Sequence, residues 1–206
     1  SLSKLKKKEY ILNLYHGPTL AFKDYALQLL GNIYDYVLKK NNKKLTIIGA
    51  TSGDTGSAAI AGCSNSEMVK MFILFPLNKV SEIQRRQMTT IHKKNVFHIA
   101  IKGNFDDCQN LIKSLFERNN KKKKINFAAV NSINWVRVMG QIVYYFWAYL
   151  KCAKGYEKIV YSIPTGNFGN VYAGYIAKKM GLPIKKLLVA STSNDVLPRL
   201  FEPGVM

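Results

Sequence analysis

The chain has 206 residues, 48% of them hydrophobic, enough to bury an ordinary core as one large domain or two small ones. Its 31 Lys and Arg against 12 Asp and Glu give a formal charge of +19, which raises nucleic acid and anionic membranes as partners. The pattern argues against both: the lysines form short runs (6–8, 39–40, 43–44, 121–124) at predicted helix ends and turns, no zinc-finger, RNP-like or basic-zipper motif occurs, and the longest apolar stretch, residues 142–150, is too short for a bilayer.

In chain order, the N-terminal Ser1, Leu2, Ser3 and Lys4 lack both Met and the apolar core of a signal peptide, and are expected to be a cut edge and not a targeting sequence. Next comes His16-Gly17-Pro18-Thr19-Leu20-Ala21-Phe22-Lys23-Asp24, which delivers a lone amine to a helix carrying Leu27, Leu30, Ile33, Tyr34, Val37 and Leu38 at helical spacing. Short β-rich runs follow at 45–50, 69–75, 96–101, 127–130, 159–163 and 187–190, with helical patterns at 56–61, 81–91, 105–116, 134–150 and 171–180 between them. This alternation predicts a parallel α/β architecture with ligands beyond the carboxyl ends of the strands. The lysine-rich tract at 119–124 is expected to connect two lobes. Cys63, Cys108 and Cys152 are odd in number and far apart, which fits reduced thiols in the cytoplasm and neither a disulfide framework nor a metal site.

Three segments have the chemistry of anion sites. Thr51, Ser52, Gly53, Asp54, Thr55 and Gly56 follow the run at 45–50, and Gly166, Asn167, Phe168, Gly169 and Asn170 follow the run at 159–163. In each, glycine allows close backbone approach, and the helix start that follows supplies unpaired N–H groups. Either loop alone also reads as a plain tight turn. The third segment is Asn131-Ser132-Ile133-Asn134-Trp135-Val136-Arg137, where Asn131 and Ser132 either cap the helix or touch ligand. Arg137, in an apolar neighbourhood, calls for an anionic partner such as phosphate. The aromatic run Tyr144-Tyr145-Phe146-Trp147 reads as core packing, because no Arg or Lys is interleaved with it.

Residues 16–24, 49–59, 103–110, 131–145 and 162–170 together resemble, in family order, the threonine synthases, pyridoxal-phosphate enzymes of fold type II, and most closely their fungal and proteobacterial type. The resemblance implies conversion of O-phospho-L-homoserine and water to L-threonine and phosphate. It further implies that Lys23 bonds the cofactor and shuttles protons, and that Gly166, Asn167, Phe168, Gly169 and Asn170 hold the cofactor phosphate. Thr51, Ser52, Gly53, Asp54 and Thr55 would receive the substrate α-carboxylate, and Asn131, Ser132 and Arg137 the substrate phosphate. No metal is implied. The expected organisation is the end of an N-terminal region with the lysine over 1–27, a smaller lobe over 28–125 and part of a larger lobe over 126–206.

Two departures limit the resemblance. Family members have sizeable regions before the lysine motif and after a segment like 194–204, the latter supplying the partner of the pyridine nitrogen, so the chain alone is expected to be an incomplete catalyst. Arg85 and Arg86 also stand where an acidic residue is expected, and Glu82 where proline is usual, so residues 81–87 read either as a surface helix that drifts freely or as a ligand-contacting segment of altered specificity. A phospho-lyase yielding a 2-oxo acid and a non-catalytic binding module of the same fold are the alternative readings.

Overall fold

The computed structural model describes residues 1–51, 53–122, 125–130, 134–153, 157–165 and 168–191. It divides into two compact units, Leu14–Asn131 and Ser1–Asn13 with Ser132–Met206. The divisions expected at 27/28 and 125/126 do not coincide with these limits. The first would cut a continuous helix, α1 (Lys23–Lys40). The second lies where Asn119 ties the end of a helix to the next strand, its side chain donating to the Ile125 carbonyl (2.8 Å) and accepting from the Ile125 N–H (3.2 Å). Residues 119–122 of the supposed connector are helical.

The unit Leu14–Asn131 is built on four parallel strands, β3 (Leu45–Ala50), β4 (Val69–Pro76), β5 (Val96–Ile101) and β6 (Phe127–Ala129), in the order β5-β4-β3-β6. Each crossover carries a helix: α2 (Asp54–Cys63), α3 (Glu82–Thr89) and α4 (Phe105–Lys122). The strands read as nearly continuous apolar runs because both faces are covered. On one face Ile48 and Leu74 pack with Cys108 of α4, joined by Phe72, Ile112, Leu115 and Phe116. Residues of the opposite register, Ile47, Met71 and Ile73, are also fully buried.

Helices α1 and α2 meet backbone to backbone. A Cβ on Gly31 would overlap the Gly62 carbonyl, and one on Gly62 the Leu27 carbonyl, so glycine is required on both sides of the crossing. The crossing sets where the two helices begin, and they begin at Lys23 and Asp54.

The second unit pairs β7 (Ile159–Pro164) with β8 (Ile184–Ala190) in parallel. It also holds α5 (Trp135–Cys152), α6 (Gly169–Lys179) and an antiparallel hairpin, β1 (Leu2–Lys6) and β2 (Glu9–Leu12). Gly174 of α6 leaves room for the Tyr145 ring of α5, which a Cβ would approach to 2.9 Å. The aromatic run divides: Tyr144 and Tyr145 are buried, while Trp147 stays 39% exposed. Among the described residues no helix is long and apolar enough to cross a membrane.

Candidate active site

Lys23 is the first residue of α1, and the chain before it is strapped to that helix start. Asp24, fully buried, accepts from the Thr19 N–H (2.9 Å), the Thr19 hydroxyl (2.6 Å) and the Ala21 N–H (3.4 Å). Its side chain fills the space a Cβ on Gly17 would need. The strap holds Leu20 in the left-handed region at φ 57°, a conformation that costs a non-glycine residue about 1 kcal/mol and persists only where neighbours impose it. The acid expected at the helix start is therefore what fixes the approach to Lys23.

The Lys23 amine, on a side chain 21% exposed, lies 3.7 Å from the Asp54 carboxylate at the start of α2. The loop before Asp54 is closed by Thr51. Its buried hydroxyl donates to the Gly53 carbonyl (2.9 Å) and accepts from the N–H groups of Gly53 (3.1 Å) and Gly56 (3.0 Å). Thr51 thus shapes the loop from within, with Gly53 buried beside it and Asp54 and Thr55 half-buried at its rim; Ser52 lies outside the described residues.

Helix α3 has an outward and an inward face. Arg85 and Arg86 do point outward, both bonded to Glu82 (2.8 and 2.7 Å), and these bonds hold the Glu82 carboxyl down at about 2. The neighbouring glutamines turn inward: Gln84 donates to Asp54 Oδ1 (2.8 Å) and Gln87 to the Thr19 carbonyl (3.2 Å). The two glutamines, three residues apart and so on one helix face, were the available signal, and the outward arginines between them masked it.

In the other unit, Asn134 caps α5, accepting from the Val136 and Arg137 N–H groups (3.0 and 3.4 Å). The capping offered to Asn131 and Ser132 is therefore performed by a later residue; those two lie outside the described residues. Arg137 is only 5% exposed, and burial lowers its guanidinium pKa from the ordinary 12.5. A buried cation in the first turn of a helix opposes both solvation and the helix dipole, which an anion at that place offsets.

Helix α6 opens at Gly169, behind Phe168, which has no capping group. Asn170 is held from α5: its Oδ1 accepts from the Tyr144 and Tyr145 hydroxyls (2.6 and 2.9 Å), and its carbonyl accepts from Tyr145 (2.9 Å). Sequence reasoning assigned Asn170 but missed the tyrosines that aim it. Gly166 and Asn167 lie outside the described residues. Burial, then the neighbouring phenols, raises Tyr144 and Tyr145 well above the ordinary 10.0. These phenols stabilise the fold fully below pH 10, and the contribution is lost as pH rises further, because the unfolded chain releases the protons first. The melting temperature should therefore fall between about pH 10 and 12. A Tyr144→Phe, Tyr145→Phe double variant should show a shallower fall.

The helix starts differ in charge. Among the described helices α1, α2, α3 and α4 carry Asp or Glu in the first turn, whereas α5 and α6 carry none. The helix starts at Arg137 and at Gly169 thus carry no acidic side chain that would repel an external anion. Thiol chemistry is disfavoured: burial pushes Cys63 up to about 12 and also raises Cys108 and Cys152.

Residues 1–205 match the family described as pyridoxal-phosphate dependent enzyme. The chain is 54% identical over 198 residues to threonine synthase of Pseudomonas aeruginosa, covering 96% of this chain and 42% of that one. It is 46% identical over 210 residues to threonine synthase of Saccharomyces cerevisiae, covering 97% and 41%. The crystal structure of pyridoxal-phosphate-bound threonine synthase from Brucella melitensis superposes with a TM-score of 0.86 at 49% identity, over 92% of this chain and 41% of that one. The chain spans well under half the length of these relatives.

Proposed function

The chain belongs to the family of pyridoxal-phosphate dependent enzymes, and we propose that the longer protein it spans in part is a threonine synthase, converting O-phospho-L-homoserine and water to L-threonine and phosphate. One observation carries this reading: one unit holds a strapped amine, Lys23, and the other has two separate acid-free helix starts, at α5 and α6. Two phosphates, one on the cofactor and one on the substrate, account for both.

The donor set fits pyridoxal phosphate. In one unit Lys23 offers a half-buried primary amine of the kind that bonds its carbonyl carbon, and in the other the acid-free opening turn of α6 has the dipole end that suits its phosphate. When bound, the cofactor serves as an electron sink for the substrate carbons.

The chain's own residues supply position and protons. Lys23 Nζ takes and returns the protons moved between substrate carbons. Gly166, Asn167, Phe168, Gly169 and Asn170 hold the cofactor phosphate, with Asn170 aimed by the tyrosine pair. Asn131, Ser132 and Arg137 hold the substrate phosphate until it leaves. The loop of Thr51, Ser52, Gly53, Asp54 and Thr55 receives the α-carboxylate, with the Thr51 hydroxyl shaping it from within and the Asp54 carboxylate facing Lys23. The substrate is a small molecule, and the scattered thiols fit a cytoplasmic enzyme.

Borohydride reduction of the full-length protein followed by peptide mapping tests the central assignment: the pyridoxyl group should be on Lys23, and its appearance on another lysine overturns it. Product analysis with O-phospho-L-homoserine should find threonine; a 2-oxo acid instead would favour a phospho-lyase. Arg137→Lys keeps the charge but loses the planar fork, so substrate affinity should weaken by about 1–3 kcal/mol with cofactor loading unchanged. Unaltered affinity would make Arg137 structural.

A further inference from the structure

We infer that Gln84 is a positioning residue for Lys23: by holding the Asp54 carboxylate, it keeps the lysine's ammonium docked beside the loop at the start of α2. This rests on the reading of Lys23 as the reacting amine.

The contacts form one chain. The Ser81 hydroxyl caps α3, accepting from the Gln84 N–H (3.3 Å), and donates to Gln84 Oε1 (3.0 Å). With its oxygen so engaged, the Gln84 amide points its nitrogen at Asp54 Oδ1 (2.8 Å). The other carboxylate oxygen, Oδ2, is the one 3.7 Å from Lys23 Nζ. Asp54 therefore serves a donor on each oxygen, and its rotamer is set from α3.

The fit leaves little slack. A Cβ on Gly53 would come within 2.6 Å of the Gln84 side chain, so the glycine beside Asp54 is where α3 presses on the loop. One turn further along α3, Gln87 bonds the Thr19 carbonyl of the strap that leads into Lys23. Helix α3 thus grips both segments that determine where the amine sits. An amine that must hold a proton, release it to carbon and take it back needs a fixed place for its charged form. Asp54 provides that place, and Gln84 keeps it there.

The test uses the full-length, cofactor-free protein and reads the rate at which trinitrobenzenesulfonate labels Lys23, mapped by peptide mass and normalised to the exposed Lys102. Only the neutral amine reacts, so the rate reports how firmly the ammonium is held. Gln84→Met keeps the length of the side chain but loses both polar atoms, and it should raise Lys23 labelling by roughly two- to fivefold, as the loosening of one partly exposed ion pair allows. Asp54→Asn should raise it at least as much. Gln84→Glu places a second carboxylate beside Asp54 and should lower it. A purely structural role for Gln84 would loosen the loop in both Gln84 variants and raise labelling in both; the same sign in the two, or no change in Asp54→Asn, overturns the proposal. Should Gln84→Met not fold, the opposed responses of Gln84→Glu and Asp54→Asn decide it. Labelling is read without cofactor. Opposed signs with borohydride trapping on another lysine would therefore leave the docking pair standing and sink only the enzymatic assignment, and like signs with trapping on Lys23 would do the reverse.

Discussion

In the full-length protein, Lys23→Ala is expected to lower turnover by at least about a thousandfold, since proton transfer by a positioned side chain alone is worth roughly 10²–10⁴-fold and the covalent attachment is lost with it. Lys23→Arg separates the two roles of the amine. A guanidinium can still pair with Asp54, so thermal stability should stay close to that of the parent, but it can neither bond the cofactor carbonyl nor exchange protons at neutral pH. Both variants should therefore be inactive, and only alanine should disturb the Asp54 contact. Turnover in either variant within about tenfold of the parent would remove Lys23 from the mechanism.

Gly62→Ala should be among the most destabilising single substitutions in the unit Leu14–Asn131. Helix propensity favours alanine by about 1 kcal/mol, but the added Cβ would overlap the Leu27 carbonyl, and overpacking against backbone costs roughly 1–3 kcal/mol or more. Neither helix can yield without moving the other, because Gly31 meets the Gly62 carbonyl in the same way. Clash outweighs propensity, so urea midpoints should drop for Gly62→Ala and for Gly31→Ala. Gly181 is the useful contrast. At φ 99° with nothing near its Cβ position, alanine there meets backbone strain of about 1 kcal/mol and no clash. A crossing that tolerated alanine would also leave the Lys23–Asp54 distance free to vary, since these residues begin the two helices that cross. The crossing variants should therefore lose cofactor affinity as they lose stability.

Much of this was legible from the chain alone. The apolar runs at β3, β4 and β5 declare themselves because strands buried on both faces have no room for polar alternation, and the expected limits agree with those found to within a residue. The hairpin β1–β2 escaped notice for the converse reason: its residues are almost all exposed, and an exposed strand leaves no apolar period to read. Helix α4 runs six residues past its expected end at 116, because solvated Asn and Lys continue a helix without any apolar marker.

Local sequence determined which segments become strands, helices and glycine-bearing loops, and which residue types those loops present, because these depend on periodicity and on backbone freedom within a few positions. Tertiary structure alone decided which partners those residues meet. Gln84 reaches Asp54 across 30 residues, Gln87 reaches Thr19 across 68, and the tyrosine pair reaches Asn170 across about 25. No periodicity encodes such pairs: a side chain's partner across the fold depends on how helix faces are rotated and pressed together, and that is settled only when contacts such as Gly31 against Gly62 close.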